Sequence, residues 1–251
     1  FRRLELHLST LWNVRVATRV IAVSQATRDD LIRHYRTVPD RVHVVHHGVS
    51  PRFRPTQDPG VRARYGLPER YFLYLGTLQP RKNLERLLAA YARLPAGAPA
   101  FVLAGGRGWY FERIARAVAA HNLGERVLFP GYIADADLPA VLSGAVAFVY
   151  PSLYEGFGMP LLEAMACGTP VIASRSSSLP EVVGDAGLLV DPLSVEALQE
   201  ALQRILEDEP LREALRARGL ERARLFTWER CAHETLGVLE KALAARARAK
   251  S

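Results

Sequence analysis

A chain of 251 residues, 49% of them hydrophobic, can build a substantial core and has room for one large domain or one and a half smaller ones. Its longest apolar runs are of strand length, too short to cross a bilayer; no secretory leader is visible, and Phe1 in place of Met predicts a fragment whose beginning is missing. The net charge of +7 is carried by arginine, with lysine only at Lys82, Lys241 and Lys250. The Glu–Arg interleaving of Leu211 to Arg222 reads as a solvated helix face, and no aromatic–basic alternation points to nucleic acid.

In chain order, Thr18 to Ser24 reads as a short buried strand, Thr27 to His34 as a helix and Arg41 to His46 as a second strand. Pro51 to Pro59 has the proline-rich, charged composition of a connector. The pattern restarts with strand Tyr71–Leu75 and a helix over about 83–93. Strand Ala100–Ala104 and a helix near 110–121 come next, then strands at 126–129 and 145–150 with a short helix between. A helix opened by Gly158 leads to strand Pro170–Ala173 and then to Gly187–Val190, and Asp191 to Ser194 supplies a turn and an N-cap. Two or three helices close the chain. Apolar strands of four to six residues, each followed by a helix, predict an α/β fold: a Rossmann-like, doubly wound parallel sheet with ligands at the carboxyl ends of its strands.

The most informative segment is Glu155-Gly-Phe-Gly-Met-Pro-Leu-Leu-Glu163, directly after the strand Ala145-Val-Ala-Phe-Val-Tyr150. Two glycines and Pro160 open a helix whose free N–H groups attract phosphate. One carboxylate precedes that helix and the second is expected about two turns inside it. Carboxylates accept from hydroxyls and repel phosphate. A ligand suiting both halves carries anionic oxygens and neighbouring hydroxyls together, as a nucleotide sugar does. Arg81 and Lys82, in the loop after Tyr71–Leu75, are adjacent cations placed to neutralise a diphosphate, one as a bidentate fork and one as a mobile point charge.

Glu155 to Glu163 resembles the Glu-x7-Glu signature of retaining GT-B glycosyltransferases, especially family 4. So do Glu163 to Ala173, Leu179-Pro-Glu-Val-Val-Gly-Asp-Ala-Gly187 and Gly76-Thr-Leu-Gln-Pro-Arg-Lys-Asn83. The resemblance implies that residues 69–226 form the GT-B C-terminal, donor-binding domain. Residues 1–50 would be a remnant of an N-terminal acceptor domain that is otherwise missing, 51–68 a linker, and 227–251 a helix crossing back to the first domain. Trp228 and the apolar positions after it would then have lost part of their packing partner. It also implies that Glu163 accepts from both ribose hydroxyls, that Glu155 lies near the donor sugar and that Arg81 and Lys82 grip the diphosphate. Phe157, Gly158 and Met159 would offer backbone amides to sugar or phosphate, and Gly76 would let the backbone approach the phosphates. In Phe129-Pro-Gly-Tyr-Ile133, the backbone of Tyr132 and Ile133 would read the nucleobase, with the Tyr132 side chain either packing or facing the ligand.

The function so implied is a retaining hexosyltransferase using a nucleoside diphosphate sugar, with GDP-mannose favoured over a UDP sugar. It would need no cofactor and no metal. The acceptor would be a glycan or lipid-linked hydroxyl, with cytoplasmic placement and peripheral contact at the inner face of the membrane. A further catalytic histidine and the acceptor pocket would lie in the missing domain, so the fragment alone would bind donor without turnover. A GT-B epimerase and a noncatalytic binding module are the alternatives.

Other features read as structural. Gly105-Gly-Arg-Gly108 lacks the G-x-G-x-x-G spacing and reads as a tight turn, with Trp109 as packing. His43, His46 and His47 lie on or beside a strand with no Cys, Asp or Glu at coordinating spacing, so no metal site is expected there. The family's usual Asn-Gly-Val is His47-Gly48-Val49 here. Cys167 and Cys231 make no disulfide framework and suit a reducing compartment; Cys167 reads as a small buried side chain.

Overall fold

The computed structural model describes residues 2–106, 108 and 110–248, so Trp109 and Arg107 lie outside the described residues. The chain divides into two compact units, Phe1–Gly48 with Phe226–Ser251, and Val49–Leu225.

The first unit begins with α1 (Arg2–Val16), followed by β1 (Val20–Ala22), α2 (Gln25–Tyr35) and β2 (Val42–Val44). β1 and β2 pair in parallel from Val20–Val42 to Ala22–Val44. Ser24 starts α2 by accepting from the Thr27 amide at 3.0 Å, and Arg36 ends it in the left-handed region at φ 53°. α1 is absent from the sequence reading; its apolar residues Leu4, Leu8 and Trp12 share one helix face yet stand exposed, and of its described side chains only Val14 is buried.

The second unit contains α3 (Pro59–Tyr65), β3 (Tyr71–Leu75), α4 (Leu84–Ala92), β4 (Ala100–Ala104) and α5 (Phe111–Ala120). It continues with β5 (Val127–Leu128), α6 (Leu138–Ser143), β6 (Ala147–Tyr150), α7 (Met159–Ala166) and β7 (Val171–Ser174). α8 (Leu179–Val183), β8 (Gly187–Val190), α9 (Val195–Glu207) and α10 (Glu209–Arg224) complete it. The helix α11 (Trp228–Arg248) returns to the first unit, where the start of its backbone passes directly against Gly48. A Cβ on Gly48 would lie 2.1 Å from the Trp228 nitrogen, so no side chain fits there. Trp228, Leu236, Leu239 and Leu243 are exposed on α11. The His47 and Trp228 rings are 5.7 Å apart, and those of His46 and Phe226 are 5.6 Å apart. His46 and His47 thus pack against aromatics, whereas His43 lies on β2 with its Nε2 buried and without a hydrogen-bond partner among the described residues.

α3 is a difference from the sequence reading, which made residues 51–68 a linker. The Asp58 carboxylate caps it by accepting from the Gly60 amide at 2.8 Å, Pro59 occupies its first position and Gly66, at φ 61°, ends it.

The six strands of this unit are all parallel, in the order β5-β4-β3-β6-β7-β8. β3 and β4 pair residue for residue from Tyr71–Ala100 to Leu75–Ala104. The apolar residues of β3, β6 and β7 are buried because helices cover both faces of the sheet; α4 packs on α9 and α5, and α7 on α10, α6 and α8. Two core tyrosines find carbonyl acceptors: the Tyr71 hydroxyl donates to the Val141 carbonyl at 2.7 Å, and that of Tyr91 to the Pro99 carbonyl at 2.8 Å, whereas the buried Ser174 Oγ in β7 has no hydrogen-bond partner among the described residues. The strand order reverses between β3 and β6. Their carboxyl ends feed the loops carrying Arg81, Lys82 and Glu155, so both loops flank the crevice where such sheets bind ligands.

Candidate functional site

Glu155 gathers the two cations. Its Oε2 accepts from Arg81 Nη1 at 2.6 Å and its Oε1 from Lys82 Nζ at 2.6 Å. Arg81 Nη1 also donates to the Tyr154 carbonyl at 2.6 Å. Lys82 is 5% exposed and Glu155 8%, whereas the Arg81 side chain reaches solvent. Lys82 Nζ donates to the Tyr150 hydroxyl and sits 4.5 Å from the centre of its ring, and Tyr150 stacks on Tyr74. Burial works against charge on both partners. For Glu155 the hydrogen bonds from Arg81 and Lys82 outweigh it and hold the carboxyl below its ordinary value. Burial pushes the Lys82 ammonium down, against the bond to Glu155. The three charges sum to one positive charge, so the free pair of cations expected from the sequence is partly neutralised within the protein.

The framework of this cluster comes from residues to which the sequence assigned no role. Asn83, at φ 58°, donates its side-chain amide to the carbonyls of Pro151 (3.1 Å) and Pro192 (2.7 Å), tying three strand-end loops together. The one Ser178 hydroxyl hydrogen is shared between the carbonyls of Glu155 (2.9 Å) and Phe157 (2.8 Å), and Ser177 Oγ accepts from the Glu155 amide at 2.9 Å. The segment around Leu179, noted only as a family match, therefore shapes the glutamate loop.

Glu163 lies on the other side of Gly76. It is the fifth residue of α7, just over one turn from the helix start and not two. With Gly76, Thr77, Gly105, Ile133 and Pro160 it lines a recess of about 260 Å³. Neither a hydrogen bond nor an ion pair joins its carboxylate to a described residue. Burial pushes its pKa up to about 7; the Arg52 charge opposes this and the Asp135 charge adds to it.

The floor of the recess is glycine by necessity. Gly76 and Gly105 have φ of 143° and 137°, and a Cβ on Gly105 would lie 2.2 Å from the Gly76 carbonyl oxygen. Sequence reasoning made Gly105 and Gly106 a turn only, yet both line the recess. The missed signal was position: Gly105 directly follows β4, the neighbour of β3. The structure also joins the two halves of the site, since a Cβ on Gly76 would lie 3.9 Å from Lys82 Cε.

Tyr132 and Ile133 line the same recess. Ile133 is buried, while the Tyr132 side chain is 70% exposed and donates to Asp135 at 3.0 Å, so it is not a packing aromatic. Phe157 is buried outside the recess lining. Gly158, at φ 112°, is the N-cap of α7 with no side-chain cap bond, and Met159 is its first residue. The uncapped first turn of α7 thus stands beside the Glu155 cluster. Two larger clefts, of about 570 Å³ along β8 and α9 and about 690 Å³ between α3 and α6, lie away from the switch point.

Comparison with known proteins gives a consistent placement. The chain matches the family described as Glycosyl transferases group 1 over residues 62–222, and Glycosyltransferase Family 4 over residues 1–53. O-antigen chain mannosyltransferase B of Escherichia coli is 40% identical over 227 residues, which cover 88% of this chain and 60% of that protein. Sucrose-phosphate synthase of Thermosynechococcus elongatus superposes with a TM-score of 0.79 at 35% identity, over 90% of this chain and 58% of that one. Anabaena HepE, solved with UDP and glucose, shares the fold, with a TM-score of 0.87 at 22% identity over 96% and 68% of the two chains. The chain thus spans about 60% of the length of the curated mannosyltransferase it matches. With a doubly wound GT-B sheet and a family match over most of its length, it belongs to the group 1 glycosyl transferases.

Proposed function

We propose that the crevice between β3 and β6 holds a nucleoside diphosphate sugar, and that the protein moves its hexose to a hydroxyl of a glycan or lipid-linked acceptor with anomeric configuration kept. What carries this reading is the Glu163 carboxylate, shielded and unpartnered in a glycine-lined recess whose Gly76 wall backs onto Lys82. A half-buried carboxylate in such a recess gains from hydrogen-bond donors. Two ribose hydroxyls would supply them, leaving the base against the backbone of Tyr132 and Ile133 and the diphosphate toward Arg81, Lys82 and the start of α7.

As the glycosyl C–O bond breaks, its electron pair stays with the departing diphosphate. Arg81, Lys82 and the amides near Gly158 meet that charge without reorganising. Side-chain cations supply this field, so we assign no cofactor or metal. Mannose is favoured, supported by the Escherichia coli mannosyltransferase relative, and GDP-mannose is the donor assigned over a UDP sugar. A cytoplasmic location with peripheral membrane contact accompanies a lipid-linked acceptor in this proposal. No helix among the described residues is long and apolar enough to cross a membrane.

Calorimetric titration with GDP, UDP, GDP-mannose and UDP-glucose tests the reading. GDP-mannose is expected to bind tightest. These 251 residues are expected to release no glycoside by themselves, because the family resemblance assigns the acceptor pocket and a catalytic histidine to a preceding domain. Absence of any nucleotide binding at millimolar concentration would end the proposal.

Glu155→Gln gives a sharper result. A diphosphate entering the native cluster meets a carboxylate already holding both cations. Removing that charge is expected to tighten GDP binding about fivefold at low salt, on the scale of 1 kcal/mol for a like charge near the surface. The same change replaces a carboxylate acceptor for the sugar hydroxyls with a weaker amide one, so the advantage of GDP-mannose over GDP is expected to shrink. Weaker GDP binding by this variant would show that Glu155 does not oppose the diphosphate.

A further inference from the structure

Helix α3 contributes no lining to the recess, yet it holds the wall that does. The Tyr65 hydroxyl donates to Asp137 Oδ2 at 2.6 Å and accepts from the Ala134 amide at 3.1 Å. Arg64 Nη1 donates to Asp137 Oδ1 at 2.6 Å. Between these anchors the chain makes one tight turn, in which the amides of Asp137 (2.9 Å) and Leu138 (3.2 Å) both donate to the Ala134 carbonyl. The residues just before the turn, Tyr132 and Ile133, and Asp135 within it, line the recess. Gly131, at φ 81°, starts the segment, and its carbonyl accepts from the Gly105 amide at 2.8 Å. The recess wall is therefore pinned at one end to the floor and at the other to α3.

We infer that Tyr65 is a positioning residue for the nucleobase: bridging the Ala134 amide and the Asp137 carboxylate, it sets the backbone of residues 132–135 in the geometry that meets the base. This rests on the reading that the recess takes a nucleoside. The bond to Asp137 is charge-assisted, so it is stronger and more directional than a bond between neutral groups. A phenylalanine at position 65 keeps the ring and its packing but removes both hydrogen bonds. The loop then loses two of the contacts that stop it from swinging on Gly131. Groups that see only phosphate, Arg81 and Lys82, are held by a separate set of loops and should not respond.

The test uses the full chain and its Tyr65→Phe and Asp137→Asn variants, titrated with GDP, UDP and inorganic pyrophosphate. Tyr65→Phe is expected to bind GDP about tenfold more weakly, on the scale of one lost hydrogen bond. Its pyrophosphate affinity is expected to stay within about twofold and its preference between GDP and UDP to shrink; Asp137→Asn should move in the same direction. A structural role alone would weaken nucleotide and pyrophosphate together and leave the base preference intact. Unchanged GDP affinity in a folded Tyr65→Phe, or equal losses for GDP and pyrophosphate, would overturn the inference. If the unaltered protein binds pyrophosphate but no nucleotide, the nucleoside reading of the recess itself fails and takes this role with it.

Discussion

Glu163→Gln is expected to make the ligand-free protein more stable at pH 8, by roughly 2–3 kcal/mol, and to leave its stability near pH 4 unchanged. The unfolded carboxyl titrates near 4.5, and burial raises the folded value to about 7. Each pKa unit corresponds to about 1.4 kcal/mol, and solvent reaching the half-buried carboxyl reduces the full product to roughly 2–3 kcal/mol. Below the unfolded value the carboxyl is protonated in both states and Glu and Gln are equivalent. As the pH rises through 7, the native state must ionise a group that its surroundings resist, so this stabilisation is lost progressively between about 4.5 and 7. Glutamine never ionises and escapes that loss. Denaturant unfolding of both proteins at pH 4, 6 and 8 would measure it; equal stabilities at pH 8 would mean that the carboxylate has a partner after all. The same variant is expected to weaken nucleoside diphosphate binding, because an amide oxygen is a poorer acceptor for ribose hydroxyls than a carboxylate. A side chain that destabilises the empty protein and stabilises the occupied one is what a binding role requires.

Much of the second unit could be read from the sequence because its signals are local. β3 and β4 occupy the apolar runs that predict them, and the glycine before α7 and the proline in its first turn mark its start. Strand–helix alternation puts the charged loops at the carboxyl ends of strands, whereas the reversal that brings them together appears only in the strand order. What stayed hidden depends on pairings distant in the chain. Glu155 and Lys82 are 73 positions apart, and nothing local says that the carboxylate will occupy the cations. Tyr150 looks like any core aromatic at the end of an apolar strand; only folding puts its hydroxyl under Lys82. Ser177 lies 22 positions from the amide it accepts from. α3 escaped notice for a different reason. The proline-rich, charged stretch before it carries the composition of a connector, and the helix buries only Val61, too little for a periodic signal.

The two cations should separate in a way their adjacency in sequence conceals. Arg81→Ala is expected to weaken diphosphate binding by about 1.5–3 kcal/mol, the scale of a bond to a charged group. It should change stability by less than about 1 kcal/mol, because an ion pair with one partner open to water contributes little. Lys82→Ala should weaken binding to a similar extent and also destabilise the fold by about 3 kcal/mol, since it leaves the buried Glu155 without its buried partner. Adding Glu155→Gln to Lys82→Ala removes a buried carboxylate left with only the solvent-reaching Arg81 and is expected to restore part of that stability, whereas adding it to Arg81→Ala leaves Lys82 buried without a countercharge and should lower stability further. Unfolding and calorimetry on the four single and double variants distinguish these outcomes. Equal stability losses from the arginine and lysine variants would mean that the Lys82–Glu155 pair is no more buried in solution than the Arg81–Glu155 pair.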